Sequence, residues 1–61
     1  MKIRIIKEIP VKQESKPKVG SIYEVLNIEN MRGRSNHKVK YTIRTIEEVG
    51  IFDDECEVVE D

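Results

Sequence analysis

Apolar and polar residues alternate in the first stretch of the chain, "MKIRIIKEI": Met1, Ile3 and Ile5 fall on one side, Lys2 and Arg4 on the other. A period of two marks a strand with one buried face. Ile6 breaks the alternation, which predicts a bulge or a second apolar surface there. From Pro10 to Gly20 two prolines and a glycine stand among charged residues, and a long loop is predicted. Pro17 has no N–H to give and does not belong inside a central strand. "SIYEVLNI", residues 21–28, is predicted as the second strand. It is apolar at Ile22, Tyr23, Val25, Leu26 and Ile28, so both of its faces should be partly covered. "ENMRGRSNHK", residues 29–38, reads as a loop or hairpin tip. "VKYTIRT" gives the clearest strand, with Val39, Tyr41 and Ile43 facing a core and Lys40, Thr42 and Arg44 facing water.

The next segment, "IEEVGIF", also has helical spacing at Ile43, Ile46 and Val49. Gly50 and the branched side chains disfavour a helix, and no capping box opens one. A strand from Glu48 to Phe52 is expected, joined to the previous one by a tight turn at residues 45–47. "DDE" then makes a single turn and "CEVVE" a short final strand. The chain shows no internal repeat. Residues 1–61 are thus expected to form one all-β domain, a five-stranded small barrel. Curling the sheet on itself buries both faces of some strands and limits exposed edges.

Composition supports the β reading. There are nine Ile and seven Val, against one Leu and no Ala. Branched side chains suit a pleated sheet and lose rotamer freedom in a helix. A chain of 61 residues buries only about 60% of the surface its unfolded form exposes. Such domains commonly use disulfides, a metal or a partner. One cysteine, Cys56, allows no internal disulfide, and that cysteine with one histidine, His37, cannot close a four-ligand zinc site without carboxylates or a second chain. No cofactor or metal is expected. No apolar run is long enough to span a membrane, and "MKIRIIKEI" is too charged for a signal peptide. With a lone thiol, a cytoplasmic location is the expectation.

Charge is divided along the chain. All eleven Lys and Arg lie in residues 1–44, and residues 45–61 carry eight acids and no base. The plainer reading is internal pairing of the last strand with a basic neighbour. In a barrel of this order the final strand lies beside the first, so Glu57 and Glu60 should meet Lys2, Arg4 and Lys7. The functional reading is a molecule with two charged faces, one of which meets a partner.

Two stretches carry a family resemblance: "KVGSIYEVLNIE" at 18–29 and "VGIFDDECEVVE" at 49–60. They resemble the Src-homology-three-like small barrels, and more closely their short versions in phages and Gram-positive bacteria. The first is similar to the family's Lys-x-Gly-Asp approach to its second strand, with Ser21 in place of the acid. The second is similar to its Gly-x-x-Pro, short 3-10 turn and final strand. The resemblance implies the barrel, with a 3-10 turn before the last strand. It argues against proline-rich ligands: the chain has no Trp, Asp53 stands where the proline would be, Cys56 where the tyrosine would be, and no Tyr precedes Tyr23.

Candidate chemistry is sparse. Cys56 and His37 are a conceivable nucleophile and base, but nothing orients His37, and Cys56 opens a strand where side chains point inward. A structural cysteine and no catalytic residue are expected. Asp53, Asp54, Glu55 and Glu57 do not match the spacing of a calcium loop. Two binding readings stand. In the first, the chain is a non-enzymatic protein-interaction module, a monomer or weak homodimer, presenting Ile6 with Asp53, Asp54 and Glu55. By analogy of size and fold it would be a phage or mobile-element accessory protein or an inhibitor of a host protein. Ile9 and Val11 are expected to stay partly exposed beside Ile6. In the second, basic loops bind nucleic acid through Lys12, Lys16 and Lys18 and through Arg32, Arg34, His37 and Lys38. Few aromatic residues are left over as stacking platforms, and the acidic segment would repel phosphate.

Overall fold

The computed structural model describes residues 1–32 and 37–61, with side chains for 1–30 and 38–61. The described residues form six strands: β1 (Lys2–Ile5), β2 (Ile22–Glu24), β3 (Asn27–Arg32), β4 (His37–Arg44), β5 (Glu48–Phe52) and β6 (Cys56–Glu60). A 3-10 turn, Asp53–Glu55, precedes β6. The strands make two antiparallel three-stranded sheets, in the orders β2-β1-β6 and β3-β4-β5. The fold is all-β, as the branched residues and the alternation require.

The segment expected as one strand over residues 21–28 is two strands, and the corner between them explains its double-sided apolar pattern. The Val25 N–H donates to the Met1 carbonyl (2.9 Å), in the first sheet. The Leu26 N–H donates to the Thr42 carbonyl (2.7 Å), in the second. Adjacent residues therefore serve different sheets. Before the corner, Tyr23 lies opposite buried Ile3 and points inward. After it, Ile28 lies opposite Tyr41, which packs on the core. The inward parity shifts from odd to even, which a single flat strand cannot do. Part of the expected loop or hairpin tip at residues 29–38 is strand, because Asn27–Arg32 pairs with residues 37–42 of β4.

One core joins the sheets. Ile3 and Ile5 of β1, Ile43 of β4, Val49 and Ile51 of β5 and Cys56 of β6 form a single buried cluster with Ile9. Ile9 comes from the long loop, contrary to its expected partial exposure. The loop folds back so that Ile9, Ser15 and Pro17 are buried, while Ile6 and Val11 stay exposed. β1 ends at Ile5, so Ile6 begins the loop and forms no bulge within the strand. The loop is latched to the β4–β5 turn at residues 45–47. The Ser15 hydroxyl donates to the Glu47 carboxylate, and the Thr45 hydroxyl donates to the Ser15 carbonyl (2.7 Å). The latch satisfies polar groups that the fold buries.

The loop returns to β2 through a turn in which the Ser21 N–H donates to the Lys18 carbonyl (3.1 Å). Gly20 sits at its third position with φ +90°, a conformation that L side chains resist. A Cβ added at Gly20 would meet nothing within 4 Å. Gly20→Ala is therefore expected to destabilise through backbone strain alone, by about 1–3 kcal/mol. A urea midpoint equal to that of the parent protein would refute this.

β1 and β6 pair as the charge division implies. Arg4 Nη1 lies 2.8 Å from Glu57 Oε1, and Lys2 Nζ lies 3.8 Å from Glu60 Oε1. Lys7 lies beyond the end of β1. Both pairs are half-exposed, so each contributes about 0.2–1 kcal/mol. The double variant Glu57→Gln, Glu60→Gln should lower the melting temperature by a few degrees at low salt. The difference should shrink as salt screens the pairs. A salt-independent change would show that packing, not charge, is being measured.

Candidate functional site

The 3-10 turn is built by its own residues. The Phe52 N–H, at its N-terminal cap, donates to Glu55 Oε1 (2.9 Å). A carboxylate three residues on thus reaches back to a donor that the turn leaves unpaired. Glu55 is half-buried by this role, so it is less free for a partner than Asp53 and Asp54, which are exposed. Asp53 Oδ2 also accepts a long 3.5 Å bond from the Val39 N–H, which ties the turn to β4.

Ile6 adjoins this turn. Its N–H donates to the Glu55 carbonyl (3.0 Å), and its side chain is 46% exposed. A backbone bond therefore ties exposed Ile6 to the turn that carries exposed Asp53 and Asp54. On the β4 side, the Lys38 ammonium lies 5.2 Å from the centre of the Phe52 ring, a cation–π distance. Lys38 accordingly belongs to the border of the acidic turn.

Beneath the turn lies Cys56. It is 5% exposed, and its Sγ is 3.6 Å from the Phe52 carbonyl. Burial pushes the thiol up to about 11, helped by the carboxylates of Asp53, Glu55 and Asp54. A thiol held neutral is a poor nucleophile. The Tyr41 hydroxyl is also raised, by burial first and then by Cys56, Asp53 and Asp61.

The other basic residues singled out by sequence are dispersed in role. Lys16 Nζ bonds Glu8 Oε1 at 2.7 Å, and this bond holds the Glu8 carboxyl below its ordinary range. Lys12 and Lys18 are exposed on the long loop, where the Lys18 N–H donates to the Tyr23 hydroxyl (3.1 Å). Arg34 and the side chains of Arg32 and His37 lie outside the described residues. The backbones of Arg32 and His37 are paired across β3 and β4. Among the described residues no three His, Cys, Asp or Glu are placed to hold a metal ion. Nor is any helix there long and apolar enough to cross a membrane.

Sequence reasoning missed the Ser15–Glu47–Thr45 latch and the stacking of Lys38 on Phe52. Neither has a periodic signal, because each joins residues that only the fold brings together. Compared with protein-family models, with curated proteins and with solved structures, the chain matches none.

Proposed function

We propose that the chain is a Src-homology-three-like small barrel of five strands, β2 and β3 counting as one bent strand, and that it acts as a non-enzymatic protein-interaction module. The paired hydrogen bonds of Val25 and Leu26 into different sheets support the bent strand. The 3-10 turn before β6 supports the resemblance. The observation that carries the functional reading is the junction of exposed Ile6 with the acidic turn through the Ile6–Glu55 backbone bond. An apolar side chain beside Asp53 and Asp54 suits a basic protein surface with an apolar contact at its centre. The partner is then a protein, and the module is an accessory factor or inhibitor of phage or mobile-element type. It works as a monomer or weak dimer in a reducing compartment such as the cytoplasm.

The test is affinity capture from cell extract, with and without nuclease, using the parent protein and an Ile6→Ser, Asp53→Asn, Asp54→Asn variant. The expected result is a protein captured regardless of nuclease and lost from the variant, whose melting temperature stays close to the parent's. Capture that disappears with nuclease and survives in the variant would assign the function to nucleic acid, through Lys16, Lys18, Arg32, Arg34, His37 and Lys38.

A further inference from the structure

β6 is an edge strand with two different sides. One edge pairs with β1, in the register Ile5–Cys56, Arg4–Glu57, Ile3–Val58 and Lys2–Glu60. Among the described residues no strand pairs with the other edge. Such an edge presents unpaired N–H and C=O groups, ready to template another strand.

The face beside that edge is incompletely covered. Val58 lies opposite Ile3, which is wholly buried, so Val58 points to the inner side of its sheet. It is nonetheless 43% exposed. Ile28 shows the same conflict on the second sheet: it lies opposite Tyr41 on the core side, yet is 45% exposed. Tyr41 packs on the core cluster to which Cys56 of β6 also belongs. The inner face of β6 thus runs out of cover at Val58, which leaves an apolar floor beside the vacant edge. On the opposite, outer face of β6 stand the carboxylates Glu57 and Glu60, across from Arg4 and Lys2, with Asp61 following in the chain.

We infer that the vacant edge of β6 accepts an extended segment of a partner protein, as an added strand in which Lys or Arg alternates with branched apolar residues. The fold itself supplies the template. β1, with the sequence Lys-Ile-Arg-Ile, is read by the paired edge in this way, bases toward Glu57 and Glu60 and Ile toward the core. The other edge of the same strand offers the same alternation of apolar and acid positions over Cys56–Val58, with the extra residue Val59 bulged before Glu60. Main-chain bonds supply affinity in strand addition, and alternate side chains supply specificity. The acids also decide against a second copy: two β6 edges would bring Glu57 and Glu60 against one another.

The inference is independent of the acidic turn. The probe is a capped peptide, Lys-Val-Arg-Val-Lys-Val, titrated into isotope-labelled full-length protein and followed by amide shifts and hydrogen exchange. Binding should protect those β6 amides that do not bond β1, while β1 stays protected. A peptide with Gln in place of each base should bind at least about tenfold more weakly, as should one with Pro at the third position. Val58→Lys should weaken binding as strongly by placing like charge on the floor. If that variant fails to fold, Glu57→Gln, Glu60→Gln should abolish the preference for the basic peptide over the Gln peptide. Ile6→Ser should leave peptide binding unchanged even if it abolishes the partner capture above, so the two proposals fail separately. Absence of binding at the solubility limit would overturn the inference. So would shifts confined to the 3-10 turn, loss of protection in β1, or β6 shifts that depend on protein concentration without peptide.

Discussion

Ile51→Ala is expected to leave much of the protein unfolded at 25 °C. Ile51 is wholly buried in β5, and its β4 neighbour is Tyr41. It belongs to the one cluster that joins the two sheets. Truncating a buried Ile to Ala costs about 2–5 kcal/mol, the lost transfer energy plus the cavity left behind. A domain of 61 residues has a total stability of only about 3–9 kcal/mol at the usual values per residue. With a single cysteine, no disulfide limits the entropy of the unfolded chain. Ile51→Val removes one methyl group and should cost about 0.5–1.5 kcal/mol. Ile46→Ala is the control. Ile46 is 68% exposed in the β4–β5 turn, and its change should stay within about 0.5 kcal/mol. Urea unfolding followed by circular dichroism orders the three variants. Equal midpoints for Ile46→Ala and Ile51→Ala would contradict the burial on which the fold rests.

The second large effect is chemical. Native Cys56 should react with a thiol reagent at neutral pH at least about a hundredfold more slowly than the same residue in urea. Burial raises the thiol from 9.0 to about 11, which alone lowers the thiolate population near a hundredfold. Steric cover at 5% exposure slows attack further. The same shift predicts a pH dependence. The folded state favours the neutral thiol, so this contribution to stability is complete below the ordinary thiol value. It is lost as pH rises from 9 through about 11. Stability and protection of the thiol should therefore fall together across that alkaline window. Rapid stoichiometric labelling in native buffer would show an accessible cysteine and restore its candidacy as a reactive group.

What could be read from the sequence was whatever repeats with a period of two against one buried face. Val39, Tyr41 and Ile43 announced β4, and the pairing of Arg4 with Glu57 followed from placing the last strand beside the first. The corner at Val25–Leu26 was harder. A strand that changes sheets and a strand covered on both faces leave the same apolar pattern. The paired ends of β3 and β4 were hidden for another reason: Asn27, Glu29 and Asn30 are exposed, so burial imposes no period on them. The burial of Ile9 and Ser15 depends on a loop closing over the core, which no local rule encodes. At the site, Ile6 and the acids of the turn were legible as exposed oddities. The structural duty of Glu55 was not, because Phe52 at the cap is not among the usual capping residues.

The two sheets also differ in how they can assemble. In β3-β4-β5 the bonded neighbours are consecutive in the chain, and Arg44 meets Glu48 only four residues away. In β2-β1-β6 the contact of Arg4 with Glu57 spans 53 residues. Loop closure over the longer span costs about 2 kcal/mol more in chain entropy. The local sheet can therefore nucleate first, with the pairing of β1 and β6 following it. Until β6 docks, the Lys-Ile-Arg-Ile strand lacks its acidic neighbour, and during that interval the folding chain is most open to pairing with the wrong one.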